Sequence, residues 1–210
     1  SQEILWQPSA HDIKKSRLTE YRHWLTGHHN LEFPDYESLW QWSVDYPEIF
    51  WETIVIFFNV KMHSPYSSVM SGGPMPETVW FDGATLNYAE HIFLGMKDQS
   101  IAMLFASESG QERSISVTEM WKEVSKLRAY FQQQGVKAGD RIAGYLPNIP
   151  EATYAFLATA SLGAVWSCCS QDFGVSSVVD RFAQIKPVLF IAADGYYYNG
   201  KTHVRMSEID

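Results

Sequence analysis

Only two cysteines occur in the 210 residues, and they are neighbours, Cys168 and Cys169. Adjacent residues seldom meet disulfide geometry, so the sequence reads them as reduced, buried thiols of a cytoplasmic protein. Basic residues are scarce too. Sixteen Lys and Arg stand against 24 Asp and Glu, giving a formal charge of −8 and no cluster able to track a phosphate backbone. That argues against nucleic acid as a partner. The opening SQEILWQPSAHDIKK has no apolar core and does not read as a signal peptide. The longest uncharged stretch, Ala152 to Gln171, is long enough to span a bilayer. Thr153, Thr159, Ser161, Gly163, Ser167 and Ser170 interrupt it, however. A helix ending at Gly163 and a buried strand after it account for the stretch better than a membrane span. There is no G-x-S-x-G, so Ser9, Ser43 and Ser114 belong to no nucleophile motif, and no internal repeat or low-complexity tract occurs.

What is abundant is apolar and aromatic: 46% hydrophobic and 15% aromatic residues, enough for a sizeable core. The texture changes along the chain. Residues 1–95 are rich in Trp, Tyr, Phe, Pro and His and read as a helical cap region. Asp35 is placed to cap a helix over YESLWQWSV, and Pro47 suits the first turn of EIFWETIVIFF. HSPYSSVMSGGPMPET (63–78) reads as a loop, and LNYAEHIFLGM as a further helix. Trp40, Trp42 and Trp51 fall on helical spacings expected of core or interface. His23, His28 and His29 have no Cys or carboxylate at regular spacing to complete a metal set, and His63, His91 and His203 are isolated. No metal ligand is assigned.

Residues 96–210 alternate. IAMLFAS and RSISV flank SGQE as a hairpin. Thr118 is placed to cap EMWKEVSKLRAYFQQQ, with Met120, Val124, Leu127 and Phe131 on one stripe and Gly135 as its stop. RIAGYL, AVWSC and VLFIA read as strands. PEATYAFLATASL and SVVDRFAQIK, the latter capped by Ser176, read as the helices between them. Such alternation implies right-handed crossovers and a parallel sheet covered on both faces. Ligands of such sheets bind beyond the carboxyl ends of the strands. The candidates are then the loops at 147–148, 169–174 and 193–201.

The last of these raises a rival reading. Gly195 to Thr202, GYYYNGKT, satisfies the phosphate-cradling pattern G-x-x-x-x-G-K-[ST]. A P-loop, however, needs Lys and Thr at the start of an amphipathic helix, and HVRMSEID is too short and polar to show one. A P-loop triphosphatase and a non-catalytic scaffold stand as alternatives of other classes. Sequence beyond Asp210 discriminates them: an acidic strand marks a triphosphatase, a stop codon the scaffold module.

GDRIAGYLPNIPEATYAFLATASLGAVWS (139–167) resembles the adenylate-forming acyl-CoA synthetase superfamily. WQPS (6–9), LWQWSVDYPEIFW (39–51) and DGATLNYAEHIF (82–93) resemble the N-terminal region of its acetyl-CoA synthetase branch. SCCSQDFG and YYYNGK look most like the branch that activates acetoacetate, with acetyl- or propionyl-type enzymes as the alternative. The resemblance implies an α/β fold: a helical, aromatic-rich N-terminal cap (1–95), then the first part of a doubly wound, mostly parallel sheet of the adenylate-forming fold (96–210). It implies an ATP- and magnesium-dependent ligase joining acetoacetate to coenzyme A through an acyl-adenylate. The ATP, magnesium and catalytic-lysine sites are expected downstream, in the missing remainder of the catalytic domain, so no catalytic residue is assigned and the piece alone is expected to be inactive. Ser170, Gln171 and Asp172, and the turn Tyr198, Asn199, Gly200 and Lys201, match the loops near the nucleotide end of CoA. Lys201 stands where that family has an arginine. Tyr198 replaces a second arginine, and Asp172 replaces a glycine. Otherwise Asp172 caps a turn, and Tyr196, Tyr197 and Tyr198 pack on the cap.

Overall fold

The computed structural model describes residues 4–96 and 99–209, which divide into two compact units, the first ending at Leu86 and the second beginning at Asn87. The first unit opens with four helices: α1 (Ala10–Lys15), α2 (Arg17–His29), α3 (Tyr36–Asp45) and α4 (Pro47–Phe57). Asp35 caps α3 as expected: its carboxylate accepts from the Ser38 amide, and Ser38 returns a bond to the Asp35 backbone. Pro47 occupies the first turn of α4, where its missing N–H costs nothing. Tyr21, Leu25 and Leu39 are buried at the centre of this unit, ringed by Trp24, Trp42, Phe50 and Phe57. Trp42 thus joins the core, whereas Trp40 and Trp51 stay 45% and 44% exposed. His28 and His29 lie against the Trp24 ring. The presumed loop at 63–78 holds more order than its composition suggests. β1 (Met70–Gly72) pairs antiparallel with β2 (Thr78–Trp80), a short ribbon whose first strand, Met-Ser-Gly, has weak strand preference.

The second unit starts with α5 (Tyr88–Leu94), β3 (Ile101–Ala106) and β4 (Glu112–Ser116). The texture grouped α5 with the first half, but it packs on α7 (Pro150–Ser161), and the Asn87 side chain donates to the Ala160 carbonyl. α6 (Val117–Gln133) begins one residue before Thr118: Ser116 is its cap, accepting from the Glu119 amide. Met120, Val124 and Phe131 are buried along its expected stripe. β5 (Arg141–Tyr145), β6 (Val165–Cys169) and β7 (Leu189–Ala192) form a parallel sheet in the order β6-β5-β7. The uncharged stretch therefore divides into α7 and β6, and no helix among the described residues is long and apolar enough to cross a membrane. α8 (Val175–Ile185) links β6 to β7; Gly174, not Ser176, is its cap, and no side chain bonds there.

Alternation along β5 sorts the two faces. Ile142 points into the cluster with α6 and α7, where Phe131, Leu157 and Ala158 are buried. Ala143 and Tyr145 point to the opposite cluster, with Val178 and Phe182 of α8. Both faces of the sheet are covered, as a parallel sheet requires. A last hairpin, β8 (Gly195–Tyr198) with β9 (Lys201–Val204), precedes the short α9 (Met206–Ile209).

Candidate functional site

Beyond the carboxyl ends of the three parallel strands lies a cleft of about 800 Å³. Its walls are the segment after β5 (Pro147 to Ile149), the loop after β6 (Ser170 to Asp172), residues 193–198 after β7, and the turn between β3 and β4. The three loops named by the parallel-strand rule do converge there. The β3–β4 turn is a wall the sequence did not announce.

The strand-end loops are tied by buried polar groups. Tyr145 is 2% exposed, and burial pushes its phenol above the ordinary range, so it stays a donor. Its Oη lies 3.1 Å from the Gln171 carbonyl and 3.0 Å from the Phe173 carbonyl. Gln171, 1% exposed, donates from Nε2 to the Ala193 carbonyl at 2.5 Å. A carbonyl can only accept, so this bond fixes which way the Gln171 amide lies. The Ala193 amide in turn donates to Tyr145 O. One side chain from β5 and one from the β6 loop thus staple the β6 and β7 loops to the end of β5. Cys169 is buried as expected, but Cys168 is exposed on β6, and both thiols are free.

Of the sequence candidates, Ser170, Gln171, Asp172 and Tyr198 line the cleft. Asn199, Gly200 and Lys201 do not: they form the outer tip of the β8–β9 hairpin and the start of β9. Asn199 and Gly200 have φ of 49° and 73°. Two successive positive φ angles define the tight hairpin turn for which Asn-Gly is the favoured pair, glycine meeting no Cβ penalty there. Tyr198 pairs with Lys201 across the turn. The Asn199 amide donates to the Glu108 carboxylate in the β3–β4 turn at 2.6 Å.

The tyrosines divide by role. Tyr196 is clamped: it stacks on His203 with ring centroids 4.9 Å apart, and Arg205 Nη2 donates to its Oη at 3.1 Å. Arg205 also pairs with Glu208 at 2.8 Å, which raises its own pKa and holds the Glu208 carboxyl below its ordinary value. Tyr197 and Tyr198 instead stay 44% and 61% exposed. The cleft lining carries three carboxylates, Glu108, Asp172 and Asp194, and no Lys or Arg. Lys201 lies outside that lining, paired across the turn with the lining residue Tyr198. Among the described residues no group of three or more His, Cys, Asp or Glu is placed to hold a metal ion.

This geometry disposes of the P-loop pattern. Gly195 to Thr202 is an antiparallel hairpin, and Lys201 and Thr202 lie in extended β9 rather than at a helix N-terminus. Among the described residues no helix starts at Lys201 and Thr202, so the helix dipole that a P-loop sets against a triphosphate has no counterpart here. The chain is expected to show no micromolar ATP affinity by titration calorimetry; a dissociation constant in that range would restore the rival reading.

Comparison with known proteins agrees in both halves. The family model described as AMP-binding enzyme matches residues 95–208, and that of the acetyl-coenzyme A synthetase N-terminus matches 36–92. Acetoacetyl-CoA synthetase from Danio rerio is 39% identical over 98% of this chain and 31% of its own length. Acetoacetyl-coenzyme A synthetase from Rhizobium meliloti (strain 1021) is 38% identical over 94% of this chain and 30% of its own. The solved acetoacetyl-CoA synthetase from Streptomyces lividans superposes with a TM-score of 0.92 at 41% identity, covering 99% of this chain and 33% of that one. The chain thus spans about a third of the length of the relatives it matches. It belongs to the AMP-binding enzyme family.

Proposed function

We propose that this chain is part of a cytoplasmic, AMP-forming acid–thiol ligase that makes acetoacetyl-CoA, and that its cleft and hairpin form the CoA entrance. The carrying observation is the convergence of Ser170, Gln171, Asp172 and Tyr198 in one cleft at the strand ends, with Lys201 paired to Tyr198 across the hairpin turn. Relatives bearing the name acetoacetyl-CoA synthetase, alike over nearly the whole chain, support acetoacetate as the acid. The free, adjacent cysteines support the compartment.

The chemistry sets what such an entrance must do. A carboxylate resists attack until one of its oxygens leaves with a stabilised group. ATP therefore converts it to an acyl-adenylate, releasing pyrophosphate, and the CoA thiolate then attacks the acyl carbon and expels AMP. The described residues offer no ligand set for magnesium, and adenylation is not assigned to them. Their part is in the second half-reaction. Lys201 would neutralise a phosphate at the nucleotide end of CoA, as a point charge without the fork of an arginine. The exposed Tyr198 ring offers a stacking face to adenine. Ser170 and the stapled 170–172 loop shape the wall, and Asp172 keeps phosphate groups toward the rim by repulsion.

In the full-length protein, Lys201→Ala is expected to raise the KM for CoA about ten-fold, the scale of one charged hydrogen bond at a wet site. Acetoacetate-dependent ATP–pyrophosphate exchange should hardly change. If exchange falls as steeply as thioester formation, Lys201 does not serve CoA.

A further inference from the structure

We propose that Glu108 is an internal competitor for the phosphate that the Asn199–Lys201 turn receives, so that it sets how tightly this protein holds the nucleotide end of CoA. The inference rests on the CoA-entrance reading above. The Asn199 amide is one of the donors the turn presents outward, and it is taken by a carboxylate at 2.6 Å from a residue 91 positions away in the sequence. Outward amides at tight turns are anion sites, and here the anion is supplied by the protein itself. Beside it, Lys201 has no ion pair among the described residues. A donor already occupied thus stands next to an unmatched cation.

The supporting architecture allows the carboxylate to leave. Among the described residues β3 pairs only with β4, and β8 only with β9. Glu108 sits in the turn of the first ribbon and Asn199 in the turn of the second, so neither position is locked by a sheet ladder shared between the ribbons. The contact itself is exposed, and exposed charge-assisted contacts are individually weak. A phosphate arriving at the turn meets the Lys201 ammonium and the Asn199 amide, and it either displaces the Glu108 carboxylate or is repelled by it. Asp172 and Asp194 also line the cleft, but neither side chain makes a described bond to this turn. Glu108 is therefore the carboxylate whose removal acts on the turn.

The test compares two thiols in the full-length protein: CoA, and dephospho-CoA, which lacks the 3′-phosphate. Glu108→Gln keeps the size and an acceptor but removes the charge. It is expected to lower the KM for CoA roughly two- to five-fold, the range of a single exposed charge interaction, and to leave the KM for dephospho-CoA unchanged. Glu108→Ala should act in the same direction. A KM for CoA that is unchanged or raised, or one that falls equally for both thiols, overturns the proposal. Lys201→Ala, measured alongside, separates the two levels. If it weakens CoA but not dephospho-CoA while Glu108→Gln does nothing, the competitor falls and the entrance reading stands. If Lys201→Ala spares CoA too, both fall.

Discussion

Replacing Phe131 by alanine is expected to cost about 3–5 kcal/mol of folding stability, the range for a large aromatic side chain deleted from a packed core. Phe131 is fully buried, and it closes the stripe that Met120 and Val124 begin on α6. Its cluster includes Ile142 of the central strand and Leu157 and Ala158 of α7, so the lost ring would open a void between the helix layer and the sheet. Against a typical domain stability of about 5–15 kcal/mol, such a loss leaves the second unit marginal. Urea unfolding should show a lowered midpoint with an unchanged slope, because the surface exposed on unfolding stays the same. Phe131→Leu, which keeps most of the volume, should recover more than half of the loss. A loss below about 1 kcal/mol for the alanine variant would contradict the packing of α6 described above.

The second large effect is functional. A side chain at Gly195 would place its Cβ 2.4 Å from the His203 carbonyl oxygen, a backbone atom of the partner strand. Strand pairing at that end of the β8–β9 hairpin then cannot persist, and Tyr198 and Lys201 lose the frame that aims them. For Gly195→Val we expect CoA-dependent thioester formation in the full-length protein to fall ten-fold or more, with ATP–pyrophosphate exchange largely kept. The global unfolding midpoint should shift little, since among the described residues the hairpin's strands pair only with each other. Thioester formation at the parent rate would remove the hairpin from the CoA entrance.

The elements of the second unit were legible because their periods are clean. The α6 stripe and the alternation of short apolar runs with helical stretches follow directly from burial on one or both faces. Starts of helices were harder. Ser116 and Thr118 are both competent caps, and the choice was made by where β4 ends, since Ser116 is also the last residue paired with Ile101. At α8 the chain turns at Gly174 before Ser176 is reached, a tertiary decision that no local preference records. The β1–β2 ribbon was hidden by serine, glycine and proline. For the site, the rule of strand carboxyl ends found three walls of the cleft from the sequence order alone. Glu108 escaped it, because two turns joined by a side chain 91 residues away leave no local trace. Tyr145 escaped for a simpler reason: a tyrosine in a strand reads as core, which it is, while its hydroxyl does a second task.

The strand order β6-β5-β7 also governs the sequence of events as the chain is made. β5 is synthesised first and ends in the middle, so both its edges wait for partners that do not yet exist. β6 arrives after α7, and β7 only after α8 as well, with Ile142 finally meeting Leu189. At about 5–20 residues per second, the apolar strand at the heart of the sheet spends roughly two to ten seconds with one edge open. During that interval α6, completed before β5 appears, is the surface that can shelter Ile142. The helix that carries Phe131 is then a nursery for the sheet during translation as well as one of its layers afterwards.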